Sequence, residues 1–193
     1  MIAAVLDTCV LWPSLQRDVL LSLAIQGLYR PLWSSSILAE LEEHEARKLV
    51  RRGASGADAE TAAKHLITQM ERAFDDSCVQ GWEPLEGNFS LPDPDDEHVV
   101  AAAVVGGAEA IVTANLPDFP AGRVPARIRV QPPNEFVLQT VKIDSYRGFC
   151  AVQELALRYQ RPQRSVHELL LLMEARYDMG AATEIIRREA DQA

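Results

Sequence analysis

The chain opens with MIAAVL, an unbroken apolar run that stops at Asp7. A strand that is apolar at every position is buried on both faces, the situation of a parallel sheet covered by helices. Residues 1–6 therefore predict a buried strand with Asp7 at its carboxyl end. The pattern then alternates. Residues 18–26 predict a helix closed by Gly27, with Pro13 and Ser14 in the loop before it, and residues 29–33 predict a second strand. Ser34, Ser35 and Ser36 offer N-caps for a helix through ILAELEEHEARKLV. Residues 51–58 predict a loop, 59–74 a helix, 78–82 a strand, 99–105 a helix and 110–113 a strand. ARIRVQPP predicts a last edge strand. Strands alternating with helices imply an α/β fold with a mostly parallel sheet and right-handed crossovers.

The texture changes at Pro133. From Asn134 on the chain shows amphipathic helical stretches only, with breaks at Arg161-Pro162 and Met179-Gly180. The expectation is an α/β domain over residues 1–131 and an all-α C-terminal appendage over residues 134–193.

The 193 residues are 48% apolar, which suits a globular chain with a full core. The net charge of −9 argues against a large basic nucleic-acid stripe, but not against a metal-using enzyme, whose clustered carboxylates add to that negative charge. Cys9, Cys78 and Cys150 are odd in number and lack CxxC spacing, so a disulfide framework or zinc site is not expected. The expected setting is cytoplasmic: the first residues lack a basic, signal-like segment, and no apolar stretch reaches the length of a membrane span.

The chemistry concentrates in LPDPDDEHVVAAA, residues 91–103, where Asp93, Asp95, Asp96 and Glu97 precede an apolar run. Helix starts favour acids, and Asp93-Pro94 reads as N-cap plus first helical residue. That accounts for Asp93 and leaves Asp96 over; Asp95 and Glu97 read as solvated. In open α/β sheets ligands bind at the carboxyl ends of strands. Asp7, the acidic segment, and Asn115 with Asp118 after IVT are all expected there, with Glu40 projecting toward the same edge. Carboxylates gathered from separate elements repel unless a cation sits among them, and oxygen donors select Mg²⁺, with Mn²⁺ as a substitute. Such sites carry out metal-assisted phosphodiester hydrolysis.

LDTCVL, WSSSILAEL, DPDDEHVVAAA and IVTANLPDF, in this order, resemble the successive motifs of PIN-domain ribonucleases, in particular the VapC-type toxins of toxin–antitoxin pairs. The resemblance covers about residues 1–131, and the helical tail is similar to the extension of one subgroup. It implies a PIN-like (Rossmann-like) sheet flanked by helices and a Mg²⁺-dependent endoribonuclease. It implies metal ligation by Asp7, Asp96 and Asp118, with Glu40 orienting the metal or its water. Thr8, Thr113 and Asn115 match supporting residues. RNA as substrate, a cognate antitoxin and a homodimer are implied partners. Rival readings are a catalytically silent PIN fold used as a binding module, and a nuclease acting on DNA.

Two departures from the pattern stand out. Cys9 occupies a position that is often Asn, and it is a poor Mg²⁺ partner. Asp93 and Asp95 compete with Asp96, and a one-residue shift moves the match to Glu97. Arg17 reads either as a phosphate contact or as an ion-pair partner of an aspartate, and His98 reads as a packed histidine rather than a base.

Overall fold

The structure, a computed structural model, describes residues 1–160 and 162–192. Its centre is a four-stranded parallel sheet of β1 (Ala3–Leu6), β2 (Arg30–Leu32), β3 (Ala110–Val112) and β4 (Arg129–Gln131), in the order β2-β1-β3-β4. Leu6 pairs with Val112 and Val112 with Gln131, so β1, β3 and β4 end level, while β2 ends one residue earlier with Leu32 opposite Val5. Every residue of β1 and β3 is buried, as an all-apolar strand requires.

The helices of this half are α1 (Thr8–Leu11), α2 (Ser14–Ile25), α3 (Ser35–Arg51), α4 (Gly56–Ala73) and α5 (Glu97–Val105). Ser34 caps α3 by accepting the Ile37 N–H, and Ser55 caps α4 by accepting the Asp58 N–H. α5 packs on β1 and β3 and is buried over most of its length, hence its run of Val and Ala. It closes at Gly106, where a Cβ would stand 2.7 Å from Val79 Cγ2 and 2.9 Å from a Leu32 methyl, so only glycine fits.

Three local expectations are corrected. Ser14 is not in a loop but opens α2, while Pro13 stays outside it as the N-cap with extended backbone, its carbonyl accepting the Arg17 N–H. Before it lies α1, a single turn that the sequence pattern did not indicate, formed as the Val10 and Leu11 N–H groups bond the Asp7 carbonyl. Residues 78–82 do not form a strand. Cys78 makes one parallel bridge to Trp33, then the chain turns at Gly81 (φ +73°) into a short 3₁₀ turn, Glu83–Leu85.

The C-terminal half is all helix: α6 (Pro133–Ile143), α7 (Ser145–Arg158), α8 (Val166–Tyr177) and α9 (Gly180–Ala190). The break expected at Arg161 lies outside the described residues. α8 opens with a full capping box, Ser165 with Glu168. α7 packs along α2, and Phe136 of α6 meets Tyr29 edge-on at 4.7 Å. Phe136, Val137, Phe149, Val152 and Leu155 join the same buried cluster as the sheet, so one apolar core runs through both halves.

Candidate metal centre

The strand order decides where a site forms. From β1 the chain crosses to β2 on one side; from β2 it passes back beyond β1 to β3 and continues outward to β4. The direction of winding reverses between β1 and β3, and a crevice opens at their carboxyl ends. Asp7 follows β1 there, its N–H bonded to the Val112 carbonyl, and Thr113 follows β3 beside it.

Asp7 is buried and held through one oxygen. The Thr113 hydroxyl donates to Asp7 Oδ2 at 2.6 Å, and the Cys9 thiol donates to the same oxygen at 3.0 Å. Among the described residues no donor reaches Asp7 Oδ1. Burial, then the negative charge of Asp7, pushes the Cys9 thiol up to about 12, so it stays a neutral donor rather than a thiolate ligand. Thr113 is fixed in turn by the Asn115 N–H at 3.0 Å. Asn115 also donates its side-chain amide to Asp118 Oδ2, which lies in the 3₁₀ turn Leu116–Asp118.

The acidic segment forms another 3₁₀ turn, Pro94–Asp96, opening directly into α5. Asp93 caps it, accepting the Asp95 N–H at 3.0 Å. It does more than cap: carboxylate oxygens of Asp93, Asp96 and Asp118 lie within 4.8 Å of one another. The assignment of Asp93 to helix chemistry alone is therefore too narrow. Asp96 Oδ2 is buried with no hydrogen-bond partner. Its carboxyl is raised to about 7 by burial and by repulsion from Asp7, Asp93 and Asp118, with His98 pulling slightly the other way. A carboxylate oxygen without a donor, grouped with the carboxylates of Asp93 and Asp118, belongs to a donor set that a hard divalent cation fits; Asp7 lies outside this group of three and reaches it through its charge.

Glu97 is not solvated, as the sequence suggested. It is buried and accepts the Phe89 N–H at 3.1 Å and the Leu91 N–H at 3.2 Å. Positive φ at Gly87 (82°) and Ser90 (53°) curls residues 87–91 around it. Burial alone would raise its carboxyl, but the amides of this loop outweigh burial and hold it below the usual range. Glu97 has its oxygens taken by backbone N–H groups, which argues against moving the match from Asp96 to Glu97.

Glu40 stands beside the cluster rather than on a merely solvated face. Thr8 donates to Oε2 at 2.6 Å, and His98 Nε2 lies 3.0 Å from Oε1. Desolvation opposes ionisation, but the His98 and Thr8 hydrogen bonds prevail and hold the Glu40 carboxyl below its ordinary value. Ser34 Oγ receives the Ile37 N–H and lies 3.4 Å from His98 Nδ1, a pattern met by the Nε2–H tautomer. His98 is buried against Trp82, so it is packed as expected, yet it also ties α5 to Glu40. Sequence reasoning missed this tie; its only signal is a histidine two residues after Asp96. Arg17 is buried, 3.4 Å from Asp18 and 3.8 Å from Glu45, with a bond to the Leu11 carbonyl. It is an ion-pair residue, and the fold does not present it to phosphate.

A hollow of about 870 Å³ lies elsewhere, between α3 and α4, and none of the clustered acids lines it. Among the described residues no helix is long and apolar enough to cross a membrane.

Residues 3–116 match the sequence model of the PIN domain, and the chain belongs to the PIN domain family. Comparison with curated proteins and with solved structures returned no match. A PIN domain with Asp93, Asp96 and Asp118 clustered at its switch point has the makings of a metal-dependent nuclease site.

Proposed function

We propose that the protein is a Mg²⁺-dependent endoribonuclease and the toxin of a type II toxin–antitoxin pair. The observation that carries this reading is Asp96 Oδ2, buried without a donor, in a carboxylate that lies with those of Asp93 and Asp118 and feels the charge of Asp7. Asp7, Asp96 and Asp118 are the proposed metal ligands, joined by Asp93. Bound there, Mg²⁺ or Mn²⁺ would offset the clustered charge, lower the pKa of a water and stabilise charge developing on phosphate.

The chain's own residues set up the rest. Thr113 and Cys9 fix one oxygen of Asp7 and leave the other free to coordinate. Thr8 and His98 each engage one oxygen of Glu40 and hold it ionised at neutral pH, where it would orient the metal or its water. No side chain at the edge offers an activated nucleophile, since Cys9 is held as a thiol, so attack by water without a covalent intermediate fits best. An antitoxin would place a basic side chain among the carboxylates, which their charge favours. Homodimerisation belongs to the same proposal, as does a reducing cytoplasm, in which Cys9, Cys78 and Cys150 stay free.

The test is cleavage of RNA and of DNA by the purified protein with Mg²⁺, beside Asp96→Asn. RNA cleavage lost in the variant supports the proposal. DNA cleavage alone assigns the site to DNA. No cleavage of either, with both proteins equally harmless on expression, rejects catalysis in favour of a silent binding module.

A further inference from the structure

In a chain of net charge −9, one hollow of about 340 Å³ is lined by Lys48, Arg51, Arg52 and Arg176 with no carboxylate among its lining residues. Two aromatic rings, Trp12 and Tyr177, complete it. Its walls come from both halves of the molecule: the residue after α1, the last turn of α3, and the last turn of α8 in the C-terminal helices.

The four cations are not equivalent. Lys48 is paired with Glu45 and donates to Ser14 Oγ at 2.9 Å, so it is part of the wall. Arg51, Arg52 and Arg176 are exposed, and among the described residues none of the three makes an ion pair. Cations in the last turn of a helix favour its dipole, which is reason enough for one such arginine per helix. That does not explain why two helix ends from separate halves bring theirs to one hollow beside a half-exposed tryptophan.

The hollow and the acids share α1 and α3. Trp12 lies five residues after Asp7 and tilts against His44 at 6.2 Å, and His44 is one helical turn beyond Glu40. Along α3 the hollow begins about 12 Å from Glu40 and reaches Arg51 at about 16 Å, from the helical rise. A strand of a few nucleotides spans that distance.

We propose that Trp12, Arg51, Arg52 and Arg176 form a subsite for single-stranded RNA leading away from the carboxylate edge. Trp12 stacks a base and the three arginines take phosphates. The C-terminal helices, through Arg176, are thereby part of substrate binding. This deepens the ribonuclease reading and rests on it.

The test uses the full chain carrying Asp96→Asn with Mg²⁺, so that a labelled oligouridylate stays intact, and measures binding by anisotropy across a salt series. Replacing Arg51, Arg52 and Arg176 together by alanine weakens binding at least about tenfold and lowers the salt slope by about 2, three phosphate contacts being lost. Trp12→Leu weakens binding about tenfold. It also abolishes quenching of tryptophan emission by the oligonucleotide, because Trp33 and Trp82 are buried. Unchanged affinity and slope in the triple variant, with only a lowered melting temperature, overturn the proposal and leave the arginines as helix-end charges. Cleavage by the parent chain is measured separately. If it cleaves RNA while the triple variant binds normally, only the subsite falls; if it neither cleaves nor binds RNA, both readings fall.

Discussion

Asp96 and Glu97 are neighbours in sequence, and their surroundings are opposites. The loop of residues 87–91 wraps Glu97 and feeds its oxygens with backbone N–H groups, and its carboxyl is held low. The edge around Asp96 supplies other carboxylates and leaves Oδ2 with no donor, and its carboxyl is raised to about 7. Glu97 is buried as a whole, and Asp96 is half-buried with its Oδ2 out of solvent. The difference lies in what surrounds the buried charge: a carboxylate given donors is part of the scaffold, and one given like charges is incomplete without a cation.

The largest effect expected from this contrast is on catalysis. Asp96→Asn lowers RNA cleavage about a hundredfold or more, the loss typical of one electrostatic group at a reacting centre. The same change raises the melting temperature of the metal-free protein at pH 8, because it removes a desolvated charge facing three others. Glu97→Ala acts on folding instead. It strands two N–H groups and lowers stability by about 2–3 kcal/mol in denaturant titration, with metal affinity of the folded chain kept. A Glu97→Ala chain as stable as the parent would break the contrast.

Smaller effects concern the supports. Thr113→Val or Cys9→Ala removes a donor from Asp7 and lowers metal affinity about tenfold. Cys9→Ser keeps a donor and stays near the parent value, read by Mn²⁺ titration. Separate from these is the pH profile without metal. Asp96 has its folded value raised to about 7 from an ordinary 3.8, so the folded chain holds the extra proton between them. Its contribution to stability therefore falls as pH rises through that window, and Asp96→Asn flattens this slope. Glu97, held low, has the opposite sign: its contribution is present at neutral pH and is lost in acid.

Much of this was legible in the sequence. An apolar MIAAVL fixed the buried strand, and the alternation after it carried the parallel sheet, because burial on both faces leaves a plain mark. The acids at strand ends were legible through topology. What was not legible depends on contacts distant in sequence. Glu97 reads as one more acid in a charged run, and only the backbone of residues 87–91 reveals its role. Asp93 is fully explained as a cap until Asp118 is seen beside it. His98 reaches Glu40 across 58 residues, a pairing that no local pattern encodes. Residues 78–82 have strand composition but pair through one bridge, since the chain turns at Gly81.

Whether Asp96 holds a metal and Glu97 does not is decided by Mn²⁺ titration of three chains at neutral pH: the parent, Asp96→Asn and Glu97→Gln. One saturable site is expected in the parent, affinity lowered at least about tenfold in Asp96→Asn, and parent-like affinity in the folded fraction of Glu97→Gln. Equal affinity in the parent and Asp96→Asn would contradict the metal role of Asp96.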